Sequence, residues 1–234
     1  ANRIYGMTAK QTLDTAQSLY EKKLITYPRT DSQYLTEDME QTARNVVRQI
    51  YEKYQLTGPF DQPEQPDVKK VMNNSKVTDH HAIIPTMELA SCHLDELKSW
   101  EEKILFLIAV HTVMAMSKDH IYQETEIEVE CQGEIFKAKG KTVLQDGWKL
   151  FENCFKNKDR MAIVDPDQEM KERMPKVTQG QTFYAVAAEK TEHFTSPPKP
   201  YSEDTLLAAM ETAGNKEFDE DTEKKGLGTP ATRA

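Results

Sequence analysis

The chain has 234 residues, a formal net charge of -9 and a sequence pI of about 5.3. Hydrophobic residues make up 38% and charged residues 29%, the balance of a soluble folded protein rather than a disordered one. No apolar run approaches the roughly 20 residues that cross a bilayer, and the start has no apolar signal segment. The acidic total argues against a nucleic-acid partner, but partners respond to local charge and not to the sum.

The cysteines and the two ends of the chain bear on compartment and completeness. Cys92, Cys131 and Cys154 are widely spaced and form no C-x-x-C pair, which predicts neither a zinc site nor a disulfide framework and fits a reducing cytoplasm. The chain begins without Met and stops abruptly after GTPATRA. We therefore expect an excised fragment of a longer cytoplasmic protein, although a trimmed tag would also explain the start.

The first part of the chain predicts two helices around a short extended segment. Residues 8–23 place apolar side chains on one helical face behind a capping Thr8. LITY (24–27) reads as a short strand or extended exit that Pro28 ends, because proline biases the preceding residue away from helical geometry. A second helix is predicted over 36–54, and its inward residues are Met39, Ala43, Val46, Val47 and Ile50.

The middle of the chain predicts a loop, a long helix and then strands. TGPFDQPEQPD (57–67) is a proline-rich loop, and residues 94–116 form a strongly amphipathic helix. Helices of this length joined by tight turns are typical of helix-turn-helix-like bundles. From 120 to 190 the pattern changes to period two, with a hairpin turn at Gly133 and further strands in DGWKLF, RMAIV and QTFYAVAAEK.

The last part predicts a linker, TSPPKP, followed by one more helix. YSEDTLLAAMETAG begins at a capping Ser202 and stops at Gly214. Its inward residues are predicted to be Leu206, Leu207 and Met210. The run EFDEDTEKK that follows is interpreted as a solvated loop and not as a metal site. Taken together, the elements predict an α+β multidomain protein.

The stretch ITYPRTDS holds residue types that suit phosphoryl transfer. A tyrosine phenol is a poor nucleophile at neutral pH unless a neighbouring cation stabilises the phenolate, so Tyr27 and Arg29 form a candidate pair. The planar arginine fork also matches the oxygens of a phosphate under attack. Thr30, Asp31 and Ser32 add short hydrogen-bonding side chains in the same turn. Spacing alone leaves open a plainer interpretation, a packed strand tyrosine beside a solvated arginine.

A second cluster, TDHHAIIPT (78–86), places two histidines after an acid. An imidazolium can donate to a phosphate or relay a proton, which makes His80 a candidate site residue. A turn histidine paired with its acid is the alternative, as is half of a metal site. Neighbouring side chains on a strand point to opposite faces, which weakens the metal interpretation.

Four motifs in this sequence resemble one family. ITYPRTDS, HHAIIPT, PPKPYSEDTLLAAME and GLGTPATRA follow the order of the central and C-terminal core of type IA DNA topoisomerases, nearest to the bacterial topoisomerase III branch. One motif alone would be weak, but four in order across nearly the whole chain are specific. The helix before ITYPRTDS is similar to the family's helix before its catalytic tyrosine, and GEIFKAKGKTVLQDGWKLF is similar to strands of its arch.

The resemblance implies a nucleophile and a set of DNA contacts. Tyr27 would attack a phosphodiester of single-stranded DNA and form a 5′-phosphotyrosyl link for strand passage without ATP. Arg29 would hold the scissile phosphate, and His80 would contact it. Further DNA-binding residues are expected to be Thr30, Asp31, Ser32, His81, Ser202, Thr205, Thr229, Thr232 and Arg233. For Ser202, plain capping of its helix is the alternative.

The resemblance also implies a domain order and a missing part. Residues 1–118 would form most of the active-site tyrosine domain, 119–190 a β-rich arch or hinge segment, and 191–234 the start of a helical DNA-binding domain. The family's N-terminal toprim domain, which binds Mg²⁺, has no counterpart here, and neither do its zinc modules. We expect Mg²⁺ in the longer protein, no cofactor or metal in this fragment, and little or no cleavage by the fragment alone.

Single-stranded DNA is the expected partner, a helicase is a candidate partner of the longer protein, and no membrane is involved. We expect the fragment to be monomeric. Arg29 should stand without an anion, paired with an acid such as Asp31 or Asp79. Two other interpretations were weighed. A non-cleaving single-stranded-DNA-binding module would not need the Tyr27, Arg29 and His80 set, and a recombinase or relaxase would need a larger basic or histidine constellation.

Overall fold

This computed structural model describes residues 1–56, 66–156, 175, 177–184, 187 and 189–213, and every structural statement concerns these residues. They form two compact units. The first contains the described residues of 1–120, 146–156 and 201–213, and the second contains 121–145 with the described residues of 175–200. The domain boundaries predicted near residues 118 and 190 remain predictions. No helix in the described ranges combines the length and apolar character that crossing a membrane requires.

The first unit is built from helices and short 3₁₀ turns. Its helices are α1 (Asn2–Tyr5), α2 (Ala9–Glu21), α3 (Glu40–Tyr54), α4 (Ser99–Ala115), α5 (Lys149–Lys156) and α6 (Glu203–Glu211). Its 3₁₀ turns are Glu37–Met39, Val68–Val71, Asn74–Lys76, Met87–Leu89 and Leu94–Glu96. The structure confirms the three long helices that the sequence predicts, and the first turn of the second has 3₁₀ geometry. The third begins at Ser99 and not at residue 94, because Leu97 and Lys98 are extended and separate the 3₁₀ turn Leu94–Glu96 from the helix.

Helix α2 begins where the sequence predicts and for the predicted reason. The Thr8 hydroxyl accepts a hydrogen bond from the Gln11 backbone at 3.1 Å, and the Gln11 side chain accepts one from the Thr8 backbone at 3.0 Å. This reciprocal pair satisfies two backbone donors that a helix start otherwise leaves without partners. The helix ends before Lys23, whose φ of 61° turns the chain toward the extended segment.

The core of the first unit lies where α2, α3 and α4 meet. Helix α4 contributes the largest share because apolar residues occur on nearly all of its faces, so the strongly amphipathic pattern that the sequence predicts is not found there. The short 3₁₀ turns cover the edges of this core and bury Val68 and Leu89. Fully buried aliphatic side chains include Leu19, Val46, Ile50, Leu105 and Val110.

The extended segment LITY forms only one isolated bridge, Ile25 with Pro85, and no continuous ladder. Backbone bonds flank the bridge, from Thr26 N to Ile84 O and from Thr86 N to Leu24 O, both at 3.0 Å. Pro28 and Pro85 lack the N–H groups that a longer ladder needs, so pairing stops there. The bridge still joins the two sequence motifs that were predicted to carry chemistry.

The second unit contains a β-hairpin with β1 (Ile121–Cys131) and β2 (Glu134–Gln145) in antiparallel register. Gln132 and Gly133 both have positive φ, 52° and 86°, as a two-residue turn of this twist requires. The predicted turn at Gly133 is confirmed. Opposite charges face each other across the strands in three ion pairs: Glu124 with Lys141, Glu126 with Lys139 and Glu128 with Lys137.

Two of the later strand predictions are wrong, and one lies outside the described residues. DGWKLF leads into helix α5, where Phe151 is buried edge-to-face against Tyr51 with ring centroids 6.2 Å apart. Burial of Phe151 against α3 overrides the local strand pattern. The described residues of QTFYAVAAEK form no strand, and Tyr184 is 86% exposed. RMAIV lies outside the described ranges.

Ser202 is the N-cap of helix α6, as predicted. The Ser202 backbone N–H donates to the Thr205 hydroxyl at 2.8 Å. Glu203 accepts a hydrogen bond from the Ala9 backbone at 2.6 Å, so the helix start is tied to the start of α2. The inward placement of Leu206 is wrong because its side chain is 47% exposed, whereas Leu207 and Met210 are half-buried. Gly214, the predicted stop, lies outside the described residues.

Candidate active site

The backbone around Tyr27 is fixed on both sides. Thr26 donates through its backbone to Ile84 O and through its hydroxyl to Ala82 O, at 3.0 and 3.1 Å. The same hydroxyl accepts from Ile84 N at 3.0 Å. Pro28 follows directly and is buried, with a ring that fixes its own φ. The tyrosine therefore lies on an ordered segment even though no continuous sheet supports it.

The ring of Tyr27 lies between two other rings. His80 approaches with centroids 4.3 Å apart and planes tilted by 39°. Tyr20 approaches in an edge-to-face arrangement with centroids 5.4 Å apart and planes at 79°. Tyr27 itself is half-buried, and its hydroxyl forms no hydrogen bond with any described residue. The phenol oxygen is thus left available while its ring is held.

Arg29 is exposed and forms no hydrogen bond or ion pair in the described part of the chain. The expected pairing with Asp31 or Asp79 does not form, and both acids are exposed. The turn directs its short side chains inward to the neighbouring loop and leaves the guanidinium in solvent. An exposed guanidinium two residues from Tyr27, without a partner among the described residues, is available to an anionic group.

Two side chains of the turn attach it to the loop that carries the histidines. The Thr30 hydroxyl donates to His80 O at 2.9 Å and accepts from Ser32 N at 3.1 Å. The Ser32 hydroxyl donates to Lys76 O at 2.8 Å. Thr30 and His80 are 50 positions apart in sequence, and the bond between them holds the turn against the histidine loop. These contacts explain how Tyr27 comes to lie against His80. Thr30 and Ser32, predicted to contact DNA, have their hydroxyls engaged in holding the turn.

The two histidines have different roles in the structure. His80 is exposed and lies against the Tyr27 ring. His81 is half-buried, and its Nδ1 lies 2.8 Å from Ala82 O, so that nitrogen carries the proton and donates. Of the pair, only His80 shares the site with Tyr27 and Arg29. The structure thus brings His80 against Tyr27, while Arg29 lies two residues further along the chain with its side chain exposed.

Sequence reasoning missed Glu101, a buried carboxylate that fixes helix α2 from the side away from Tyr27. Its oxygens accept from the Ser18 hydroxyl at 2.7 Å, Lys22 Nζ at 2.6 Å and the Lys98 backbone at 3.0 Å. Burial alone would raise the pKa of Glu101, but these three donors outweigh it and hold the pKa at about 2. An acid at an inward position of a largely apolar helix was the available signal.

The remaining predicted DNA contacts lie away from this cluster or outside the described residues. Ser202 and Thr205 cap α6, and no hydrogen bond or ring contact links them to Tyr27, Arg29 or His80. The plain capping role is therefore observed for Ser202. Thr229, Thr232 and Arg233 lie outside the described ranges.

The sequence resemblance implies Mg²⁺ in a longer protein. Among the described residues, no three His, Cys, Asp or Glu side chains converge on a point where a metal ion could bind. Mg²⁺ is coordinated chiefly by carboxylate oxygens, substrate phosphates and water. Where it binds in a longer protein stays a prediction, and no chemical step is assigned to it here.

Comparison with known proteins agrees with the motifs. A family model described as DNA topoisomerase matches residues 1–234. DNA topoisomerase 3 of Bacillus licheniformis is 36% identical over 252 aligned residues, which cover 100% of this chain and 32% of that protein. The topoisomerase 3 of Vibrio cholerae is also 36% identical, with 100% and 36% covered. The chain thus spans about a third of the length of these relatives.

One solved structure shares the fold. Full-length topoisomerase I from Thermotoga maritima matches with a TM-score of 0.58 and 22% sequence identity, covering 100% of this chain and 34% of that one. At this identity the likeness concerns the fold alone. The family match over the full chain and the similarity to topoisomerase 3 relatives establish that these 234 residues belong to the type IA DNA topoisomerase family, as the four motifs predict.

Proposed function

We propose that the protein containing these residues cuts and rejoins single-stranded DNA through Tyr27. The phenol oxygen loses its proton and forms a bond to the scissile phosphorus, and the bond from phosphorus to the 3′ oxygen breaks. The 3′ oxygen takes up a proton and leaves as a hydroxyl, so the 5′ end stays linked to the protein. Attack by that hydroxyl reverses the step, and the energy of the diester is kept throughout without ATP.

One observation carries this proposal: the Tyr27 ring is held against His80 with its oxygen free of hydrogen bonds among the described residues, while Arg29, two residues along the chain, is exposed and unpaired there. A structural tyrosine needs no unpaired cation beside it. The alternative, a module that binds single-stranded DNA without cutting, would account for Arg29. It would not account for a tyrosine ring that is held on two sides while its oxygen is left open.

The three side chains have distinct proposed roles. Arg29 binds the scissile phosphate through its fork, which neutralises charge on the oxygens during attack. His80 lies against the ring of Tyr27 and not within the reach of a hydrogen bond to its oxygen. We assign His80 to contact with the phosphate and not to proton removal from the phenol. Thr30 and Ser32 support the site by holding the turn on the histidine loop.

The longer protein supplies what this chain does not hold. We propose that Mg²⁺ is bound by residues outside the chain, that the chain alone cleaves little or not at all, and that residues 119–190 serve as part of an arch or hinge. Asp31, His81, Thr229, Thr232 and Arg233 stay proposed DNA contacts. A cytoplasmic location and a helicase partner also belong to the proposal and not to the findings.

Covalent trapping tests the proposed nucleophile. The natural-length protein is mixed with Mg²⁺ and an end-labelled single-stranded oligonucleotide, denatured, and examined for label that migrates with protein. Tyr27→Phe should lose the adduct entirely because phenylalanine has no oxygen to attack. Tyr122→Phe, on the hairpin, is the matched tyrosine control and should trap normally. An adduct that survives in Tyr27→Phe would place the nucleophile elsewhere.

A further inference from the structure

We propose that Tyr20 is a positioning residue for Tyr27, acting through its ring and not through its hydroxyl. This inference rests on the proposed function of Tyr27. Tyr20 occupies the last turn of helix α2 and lies edge-to-face against the Tyr27 ring at 5.4 Å between centroids. The motif ITYPRTDS does not include Tyr20, which lies five positions before the motif and seven before Tyr27.

The Tyr27 side chain has only two rotatable dihedrals, so few contacts are needed to fix its oxygen. The backbone hydrogen bonds of Thr26 and the buried Pro28 fix the point from which the side chain starts. His80 restrains the ring from the loop that carries the histidines, and Tyr20 restrains it from α2. With Tyr20 absent, one of the two ring contacts is lost, and the phenol can rotate away from the phosphate held by Arg29.

Helix α2 is a suitable platform because its opposite side is anchored. Ser18 and Lys22, four residues apart on one helical face, both donate to the buried carboxylate of Glu101. Tyr20 lies two positions from each and therefore points to the other side of the helix at about 3.6 residues per turn. A rigid element that carries a supporting ring holds a reacting group more accurately than a loop can.

The hydroxyl of Tyr20 has no hydrogen-bond partner among the residues that the structure describes, and the side chain is 39% exposed. The ring is thus the part that interacts. This distinguishes positioning from acid–base chemistry, because Tyr20→Phe keeps the contact and Tyr20→Leu removes it. Leucine retains helix propensity and apolar volume, so the helix itself should be preserved.

The first readout uses the 234-residue chain without DNA. Its tyrosine rings are labelled with ¹³C, the Tyr27 signals are assigned with Tyr27→Phe, and circular dichroism checks folding. We expect Tyr20→Leu to shift and narrow the Tyr27 ring signals, while Tyr20→Phe and the distant Tyr122→Leu leave ring mobility unchanged. Unchanged Tyr27 mobility in a folded Tyr20→Leu overturns the inference. Tyr20→Met replaces the leucine variant if that one fails to fold.

The second readout uses the natural-length protein, with the rate of covalent adduct formation measured at saturating oligonucleotide. Loss of an edge-to-face pair should slow Tyr20→Leu by about 2- to 12-fold. Oligonucleotide affinity, measured in a Tyr27→Phe background, should not change. If affinity falls and the saturated rate does not, Tyr20 stacks on a base and the inference is wrong. If wild type forms no adduct, the proposed function fails, and the ring signals decide the role of Tyr20 independently.

Discussion

At the residue scale, two charged side chains of this protein have opposite surroundings. Glu101 is 2% exposed and is satisfied by one hydroxyl, one ammonium and one backbone donor. Arg29, which needs an anion, has no partner in the described part of the chain. A buried carboxylate costs free energy unless it is fully hydrogen-bonded, so the three donors around Glu101 act as a unit.

Glu101→Gln should lower the free energy of unfolding by about 1.5–3 kcal/mol at pH 7, because the hydrogen bond from Lys22 loses its charged acceptor. The folded pKa of Glu101 is about 2, below the value of about 4.3 expected in an unfolded chain. Its contribution is therefore fully present above pH 5 and is lost as the pH falls from about 4.3 toward 2. Urea unfolding at several pH values measures this loss.

The exposed Glu96→Gln serves as the control for Glu101→Gln and should be nearly neutral at every pH. The difference in stability between wild type and Glu101→Gln should narrow as the solution is acidified. A difference that stays constant down to pH 3 would mean that packing, and not the charge, explains the loss.

At the scale of elements, the neck of the hairpin depends on one glycine. The segments that enter β1 and leave β2 run side by side, with Trp148 N donating to Lys118 O at 3.0 Å. Gly147 has a φ of 53°, and a Cβ on it would lie 2.3 Å from Asp119 O. Gly133, at the tip, also has positive φ, but a Cβ there would meet nothing within 4 Å.

These two glycines give a matched pair of substitutions. Gly133→Ala should cost about 1–2 kcal/mol, the penalty of a left-handed conformation for alanine. Gly147→Ala should lower the free energy of unfolding by clearly more than Gly133→Ala does. The alanine at 147 has the same conformational penalty, and its Cβ also clashes with backbone atoms that cannot move aside. Thermal and urea unfolding compare the two variants. Equal losses would contradict the close approach of Asp119 to Gly147.

At the scale of the whole molecule, the net charge of -9 contrasts with an arginine near the proposed nucleophile that is exposed and, among the described residues, unpaired. The bridge between the two motifs and the hydroxyl bonds of the turn leave Arg29 in solvent beside Tyr27. We expect affinity for DNA to fall as salt is added, because each phosphate contact made by a cationic side chain releases counterions. We therefore expect a small part of the surface around Arg29, and not the net charge of the chain, to attract the phosphates of DNA.

Arg29→Gln should weaken binding of single-stranded DNA and reduce the slope of log affinity against log salt by about 0.7, the value for one lost phosphate contact. The measurement uses the natural-length protein in a Tyr27→Phe background, so that cleavage does not interfere. Arg48→Gln, an exposed arginine on α3, is the control and should leave the slope unchanged. An unchanged slope in Arg29→Gln would remove the phosphate role from Arg29.

Much of the fold was accessible from local patterns. Short-range features are decided within a few residues, and the sequence predicts them well. They include the caps at Thr8 and Ser202, the three long helices and the turn at Gly133. The strand prediction for DGWKLF failed because Phe151 is buried against Tyr51 of α3, a contact of high sequence separation. The prediction for QTFYAVAAEK failed in its described residues. Alternation of apolar and polar residues shows only which side chains would share a face, whereas a strand also needs a neighbouring strand for its backbone hydrogen bonds.

The sequence by itself determined the family and nominated the three residues of the proposed site, because Tyr27, Arg29 and His80 lie in motifs that resemble those of the family in residue type and order. Only the tertiary structure decided how they meet. The Ile25 and Pro85 bridge and the Thr30 bond to His80 O join segments more than 40 residues apart. It also revealed Tyr20 and Glu101, since a ring contact and a buried ion pair depend on which helix faces meet, and local pattern does not record that.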